Sequence, residues 1–64
     1  MIDPNKMVMV KPEVLAADPI RLAHYKGQAG RVKNLDEDYY MIFWPSLQHS
    51  SVWAGDQLYN IPKE

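Results

Sequence analysis

The sequence predicts an all-β domain built as a small closed barrel of five short strands. Three observations indicate this class: short runs of β-branched and aromatic residues, turn-forming residues every few positions, and no amphipathic stretch of helix length. The chain has 64 residues, enough for one hydrophobic core and therefore one domain. At this length a closed barrel is favoured over an open sheet, because closure pairs strand edges that would otherwise be exposed.

The strands follow from the β-rich runs and from the residues that end them. The first run covers residues 6–11 and stops at Pro12. The strongest run covers residues 39–44, which are rich in aromatic side chains, and it stops at Pro45. The other predicted strands, separated by a polar turn at 36–38 and a loop at 46–50, cover residues 31–35, 51–54 and 59–61.

A long, partly structured connection joins the first two strands. It contains one predicted helical turn at residues 13–17, because Pro19 disfavours helical backbone at Asp18 and ends the turn there. A single tight 3-10 turn is predicted at residues 55–58, before the last strand. The resulting division is an N-terminal tail at 1–5, the barrel at 6–61 and a C-terminal tail at 62–64.

Composition excludes several classes of protein. Without cysteine the chain forms no disulfide, and we expect no structural zinc site. The N-terminus has no apolar signal segment, and the longest apolar runs, residues 7–10 and 39–45, are far too short to span a bilayer. We therefore expect a cytoplasmic protein that does not insert into a membrane. The formal net charge of −1 provides no general attraction to nucleic acid.

No motif predicts catalysis or a cofactor. His49 and Ser51 can share a strand face, but no carboxylate close in sequence would orient the imidazole. His24 and His49 alone make a poor metal site, and the acidic residues 36–38 lack the spaced oxygen ligands of a calcium loop. The glycine-containing turn at 27–30 lacks the lysine and hydroxyl residue of a phosphate-binding loop. We expect no enzyme activity, metal or cofactor.

The aromatic strand at residues 39–44 is apolar on both of its faces. Because side chains alternate along a strand, we place its even-numbered residues inside the barrel: Tyr40, Ile42 and Trp44. Its odd-numbered residues then face outward: Tyr39, Met41 and Phe43. The same alternation on the first strand places Met7 and Met9 outside. A contiguous patch of exposed methionine and aromatic side chains usually marks a contact surface, unless another part of the chain covers it.

The order of these elements resembles SH3-like barrels, in particular those that carry a KOW-type motif. The resemblance covers residues 6–61 and rests on Val8, Val10, Gly27, Gly30, Val32, Leu35, Tyr40, Ile42, Trp44, Val52, Trp53, Asp56, Gln57, Leu58 and Ile61. It implies that the second strand bends sharply at Gly30, where a residue without Cβ is favoured. It also implies that Val32, Ile42 and Val52 point into the barrel.

Domains of this kind include ribosomal and transcription-factor KOW modules, the barrel part of nitrile hydratase β subunits, and small accessory subunits of photosynthetic electron-transfer complexes. Residues 30–58 look most like the last group. We therefore predict a non-catalytic adaptor or accessory subunit that binds a protein partner or a second copy of itself. The predicted partner-binding residues are Met7, Met9, Tyr39, Met41 and Phe43, with Arg21, Lys26 and Arg31 helping orientation.

The alternative is a KOW-type module that binds nucleic acid or associates with the ribosome or transcription machinery. The segment 20–35 carries four cations and no acidic residue: Arg21, Lys26, Arg31 and Lys33. These side chains can contact phosphates while Tyr25 or His24 stacks on a base. The net negative chain and the adjacent acidic turn oppose this function, so nucleic acid is the second choice.

Overall fold

The computed structural model describes residues 2–62, so Met1, Lys63 and Glu64, which the sequence assigns to the tails, lie outside the described range. Within it the chain forms five strands in two antiparallel sheets. The strands are β1 (Val8–Val10), β2 (Arg31–Asp36), β3 (Tyr39–Trp44), β4 (His49–Ala54) and β5 (Leu58–Asn60). β1 pairs with β5, and the other three strands lie in the order β2-β3-β4. The structure is mostly β, which confirms the β class that the sequence predicts.

The predicted boundary of β4 is wrong by two positions. β4 begins at His49 rather than at Ser51, so His49 is a strand residue paired with Trp44 and not part of a loop. The cause is a tight turn, in which the amides of Leu47 and Gln48 donate to the Trp44 carbonyl at 3.1 and 2.8 Å. Gln48 has a left-handed φ of 54°, which reverses the direction of the chain so that His49 can pair with Trp44.

The connection between β1 and β2 contains more helix than the sequence indicates. Helix α1 (Pro12–Ala17) begins with proline in its first turn, where the missing N–H is not needed, and confirms the predicted helical turn. A 3-10 turn at Ala23–Tyr25, which the sequence did not predict, places Tyr25 in the core. The predicted 3-10 turn before β5 covers Gly55–Gln57.

Both sheets contribute to one hydrophobic core. Its buried residues are Ile2, Val8, Val10, Tyr25, Ile42, Trp44, Trp53 and Leu58. Ile2 belongs to this core although the sequence assigns it to the tail. The amide of Asp3 donates to Asn60 Oδ1 at 2.7 Å and ties the segment before β1 to β5.

The predicted alternation along β3 is confirmed at four of its six positions, and the other two, Tyr40 and Phe43, are half-buried. Ile42 and Trp44 are fully buried, while Tyr39 and Met41 are exposed. The inward placement of Val52 is wrong, because its direct partner across the ladder is Met41, on the outer face. The turn after Trp44 sets this register and makes Ser51 and Trp53 the inward residues of β4.

Gly30 lies where β1 meets β2. It exchanges two backbone hydrogen bonds with Val8, each 2.9 Å long. A Cβ at this position would collide with Ile42 Cγ2 and lie 2.8 Å from Trp44 Cε3. Glycine is therefore required because the backbone lies directly against two fully buried side chains.

We predict that Gly30→Ala lowers the free energy of unfolding by about 1–3 kcal/mol, because a methyl group must be forced into a filled core. Chemical denaturation followed by tryptophan fluorescence measures this loss. Gly55→Ala is the matched control: its Cβ would lie 3.0 Å from Cε1 of the half-buried Tyr40 ring, which can shift toward solvent. Equal losses in the two variants would contradict the assignment.

Candidate functional site

The outer surface of the β2-β3-β4 sheet carries a contiguous apolar patch. Tyr39, Met41 and Val52 are 57, 37 and 59% exposed, respectively. Met41 lies directly opposite Val52, and Tyr39 lies two residues from Met41 on the same face. Large apolar side chains in such close register form one surface rather than isolated exposed positions. We call Tyr39, Met41 and Val52 the outer patch.

Polar groups from β2 border the outer patch along one side. Asn34 is paired with Met41 and Asp36 with Tyr39, and together with Val52 these residues line a shallow depression. Farther along the same face, Arg31 is paired with the half-buried Phe43. The face therefore has a carboxylate at one end, a guanidinium at the other and apolar side chains between them.

The predicted partner-binding residues are divided between different parts of the molecule. Met9 lies on β1, which pairs with β5, and Met7 directly precedes β1. Both are half-buried, and the sulfur of Met9 accepts a hydrogen bond from the Tyr59 hydroxyl at 3.5 Å. Arg21 lies in the long connection, 3.8 Å from Asp18, and Lys26 is exposed after the 3-10 turn. The residues on the outer face of the three-stranded sheet are Tyr39, Met41, Phe43 and Arg31.

A hydrogen-bonded cluster that the sequence did not predict lies on the inner face of the same sheet. The indole N–H groups of Trp44 and Trp53 donate to Ser51 Oγ at 2.8 and 2.7 Å. Tyr25 Oη lies 3.3 Å from Ser51 Oγ and 3.0 Å from His49 Nε2. The Tyr25 hydroxyl donates to Ser51 Oγ, so Ser51 is hydrogen-bonded to Tyr25 and to both indoles, and Tyr25 links His49 to the same cluster.

The aromatic rings of this cluster also pack against one another. The ring of Tyr25 packs edge-on against Trp53 with centroids 4.9 Å apart and tilted against Trp44 at 5.1 Å. Tyr25 is buried and is therefore not available for base stacking, whereas His24 is exposed. Both indoles donate to Ser51 Oγ, and His49 is hydrogen-bonded to the Tyr25 hydroxyl rather than to Ser51.

No protein-family model, curated protein or solved structure matches the chain. Across residues 2–62, no group of three or more histidine, cysteine, aspartate or glutamate side chains is placed to hold a metal ion. In the same part of the chain, no helix is both long enough and apolar enough to cross a membrane.

We predict that Ser51→Ala lowers the free energy of unfolding by about 2 kcal/mol, because two indole N–H groups lose their shared acceptor inside the core. Thermal or chemical unfolding measures the loss. Ser50→Ala removes the same hydroxyl from the neighbouring exposed position and should change stability by less than about 0.5 kcal/mol. If both variants were equally stable, Ser51 would not be the acceptor that holds the cluster together.

Proposed function

We propose that the protein is a non-catalytic interaction module, an adaptor or accessory subunit that binds a protein partner through the outer face of the β2-β3-β4 sheet. The observation that carries the proposal is the outer patch, in which three large apolar side chains lie side by side in solvent. Patches of this kind on small domains mark contact surfaces, because their burial removes apolar area from water.

The shape and charge of the outer face favour a protein over a small molecule. Its depression is shallow and lies on an open sheet surface, whereas small-molecule sites enclose most of their ligand. Arg31 and Asp36 lie at opposite ends of the face and provide charges that orient a partner without being buried at its centre. A suitable partner offers an apolar centre with an acidic group toward Arg31.

We further propose that the two sheets are the halves of an SH3-like small barrel of the KOW type. Support comes from the isolated bridge between Val8 and Gly30, which joins β1 to β2 and so links the two sheets. The shared core and the 3-10 turn before β5 agree with the same architecture. In this proposal the outer patch lies on the outside of the barrel wall.

Nucleic acid receives less support than a protein partner. Tyr25, one of the two residues considered for base stacking, is buried, and Arg21 is offset by Asp18. The remaining cations of this segment, Lys26, Arg31 and Lys33, are exposed, but the chain as a whole carries a formal net charge of −1. Binding to RNA or DNA is therefore an alternative outcome of the experiment below.

We predict that Met41→Glu weakens partner binding at least about tenfold, because a charge in the middle of an apolar contact must be desolvated. Affinity capture from an extract of the source cells, followed by mass spectrometry and by titration of the captured protein, measures the effect. Ile20→Glu is the matched control, since Ile20 is an exposed apolar residue in the connection and away from the sheet.

The expected result is the same captured protein with wild type and Ile20→Glu, and its loss with Met41→Glu at unchanged thermal stability. Capture that persists in Met41→Glu would contradict the assigned surface. Captured material that is released by nuclease would favour the nucleic-acid function instead.

A further inference from the structure

The two edges of the three-stranded sheet are protected to different degrees. Edge strands expose unpaired N–H and C=O groups, which are templates for another strand. On β2 that edge carries Arg31 and Lys33, and its register shifts between Val32 and Asn34. Gly30, just before β2, is already bonded to β1. Charges and a bulge are the devices that keep a sheet edge from pairing.

The β4 edge has none of these devices. Its sequence, His-Ser-Ser-Val-Trp-Ala, contains no lysine, arginine, carboxylate or proline. Its pairing with β3 runs without a register shift from Tyr39 opposite Ala54 to Trp44 opposite His49. Ser50 and Val52 are both exposed. β4 is thus a regular, uncharged strand with an open side.

The turn between β2 and β3 determines which backbone groups of β4 face that open side. This two-residue turn pairs Asp36 with Tyr39, and the Gly55 amide donates to the Asp38 carbonyl at 3.2 Å. A two-residue turn closes with a hydrogen-bonded pair, so the backbone N–H and C=O groups of Tyr39 point toward β2. Because successive residues of a strand direct these groups to opposite sides, the even-numbered residues of β3 exchange hydrogen bonds with β4. The β4 residues whose backbone groups point away from β3 are Ser50, Val52 and Ala54.

One of these three residues already has a hydrogen-bond partner for its amide. The Ala54 amide donates to Gln57 Oε1 at 2.9 Å. Within residues 2–62, no backbone or side-chain acceptor bonds the amides of Ser50 and Val52. Two adjacent donor–acceptor sites therefore remain open on an exposed strand, and the side chain of Gln57 marks where the open stretch ends.

We propose that a second copy of this chain adds its own β4 to this edge in antiparallel orientation, forming a two-fold dimer with a continuous six-stranded sheet. In this register Ser50 exchanges backbone hydrogen bonds with the second copy's Val52, and Val52 does so with the second copy's Ser50. Ser51 lies at the two-fold axis. The contact uses the backbone edge rather than the outer face, so it goes beyond the proposed partner binding and does not depend on it.

Complementary hydrogen-bonding groups at the two ends of β4 favour a second copy in this orientation. At the C-terminal end, Glu37, Asp38 and Asp56 line a depression beside Ala54. At the N-terminal end lie His24 and His49, with ring centroids 6.1 Å apart. Histidine offers an N–H donor in either protonation state and carboxylates accept, so antiparallel pairing joins unlike ends twice. A parallel pairing would join like ends.

Sedimentation equilibrium of wild type, Ser50→Pro and Ser50→Thr tests the dimer. Proline removes the amide that faces the free edge but none of the bonds to β3, and proline is tolerated at such edge positions. We expect a concentration-dependent dimer in wild type and in Ser50→Thr, and association at least about tenfold weaker in Ser50→Pro, which loses one donor per copy. Equal association of Ser50→Pro and wild type, or a wild type that is monomeric up to about 1 mM, would overturn the proposal.

Amide hydrogen exchange of the wild type provides a test that does not require a folded proline variant. Exchange of the Ser50 and Val52 amides should slow as protein concentration rises, while that of Leu35, on the opposite edge, should not change. Slowing confined to Leu35 would overturn the proposal. Met41→Glu should retain the dimer, so failure of the outer-face function and failure of this proposal give different results.

Discussion

The alternation of side chains along β3 is the constraint on which the rest of the structure depends. All six side chains of this strand are aromatic or apolar, yet Ile42 and Trp44 are fully buried while Tyr39 and Met41 on the other face are exposed. The even positions, centred on Ile42, fill the core that the two sheets share. The odd positions then face outward, and two of them, Tyr39 and Met41, form the outer patch together with Val52 of β4.

Two small residues allow the inner face to close over such large side chains. Gly30, which is bridged to Val8 of β1, leaves room for the side chains of Ile42 and Trp44. Ser51 Oγ accepts a hydrogen bond from each of the two indole N–H groups. A larger residue at the first position overfills the core, while an apolar residue at the second leaves buried donors without a partner. Packing at Gly30 and hydrogen bonding at Ser51 thus both act on the inward side chains of β3.

Much of the fold could be predicted from local signals, and the failures have identifiable causes. The run of aromatic residues ended by Pro45 predicts the bounds of β3 correctly, because both signals lie within the strand. The orientation of Val52 depends on the turn after Trp44, where Gln48 adopts a positive φ that its residue type does not indicate. A slip of one residue in register reverses every side chain of a strand.

Some residues of the candidate site were predictable from the sequence, and others depend on contacts between distant segments. Tyr39 and Met41 were predictable from alternation on one strand, whereas Val52 joins them only through pairing with a second strand. The roles of Ser51 and Tyr25 depend on contacts between residues distant in the sequence, for which no local motif exists. The free edge of β4 likewise becomes visible only when the ladder shows which amides lack partners.

The central claim is that β3 is buried on one face and exposed on the other in the isolated monomer. Paramagnetic relaxation by a soluble gadolinium chelate, recorded on dilute protein by NMR, measures this residue by residue. The account predicts strong relaxation of the Tyr39 and Met41 side chains and almost none for Ile42 and Trp44. Equal protection of Met41 and Ile42 in a sample shown to be monomeric would contradict it.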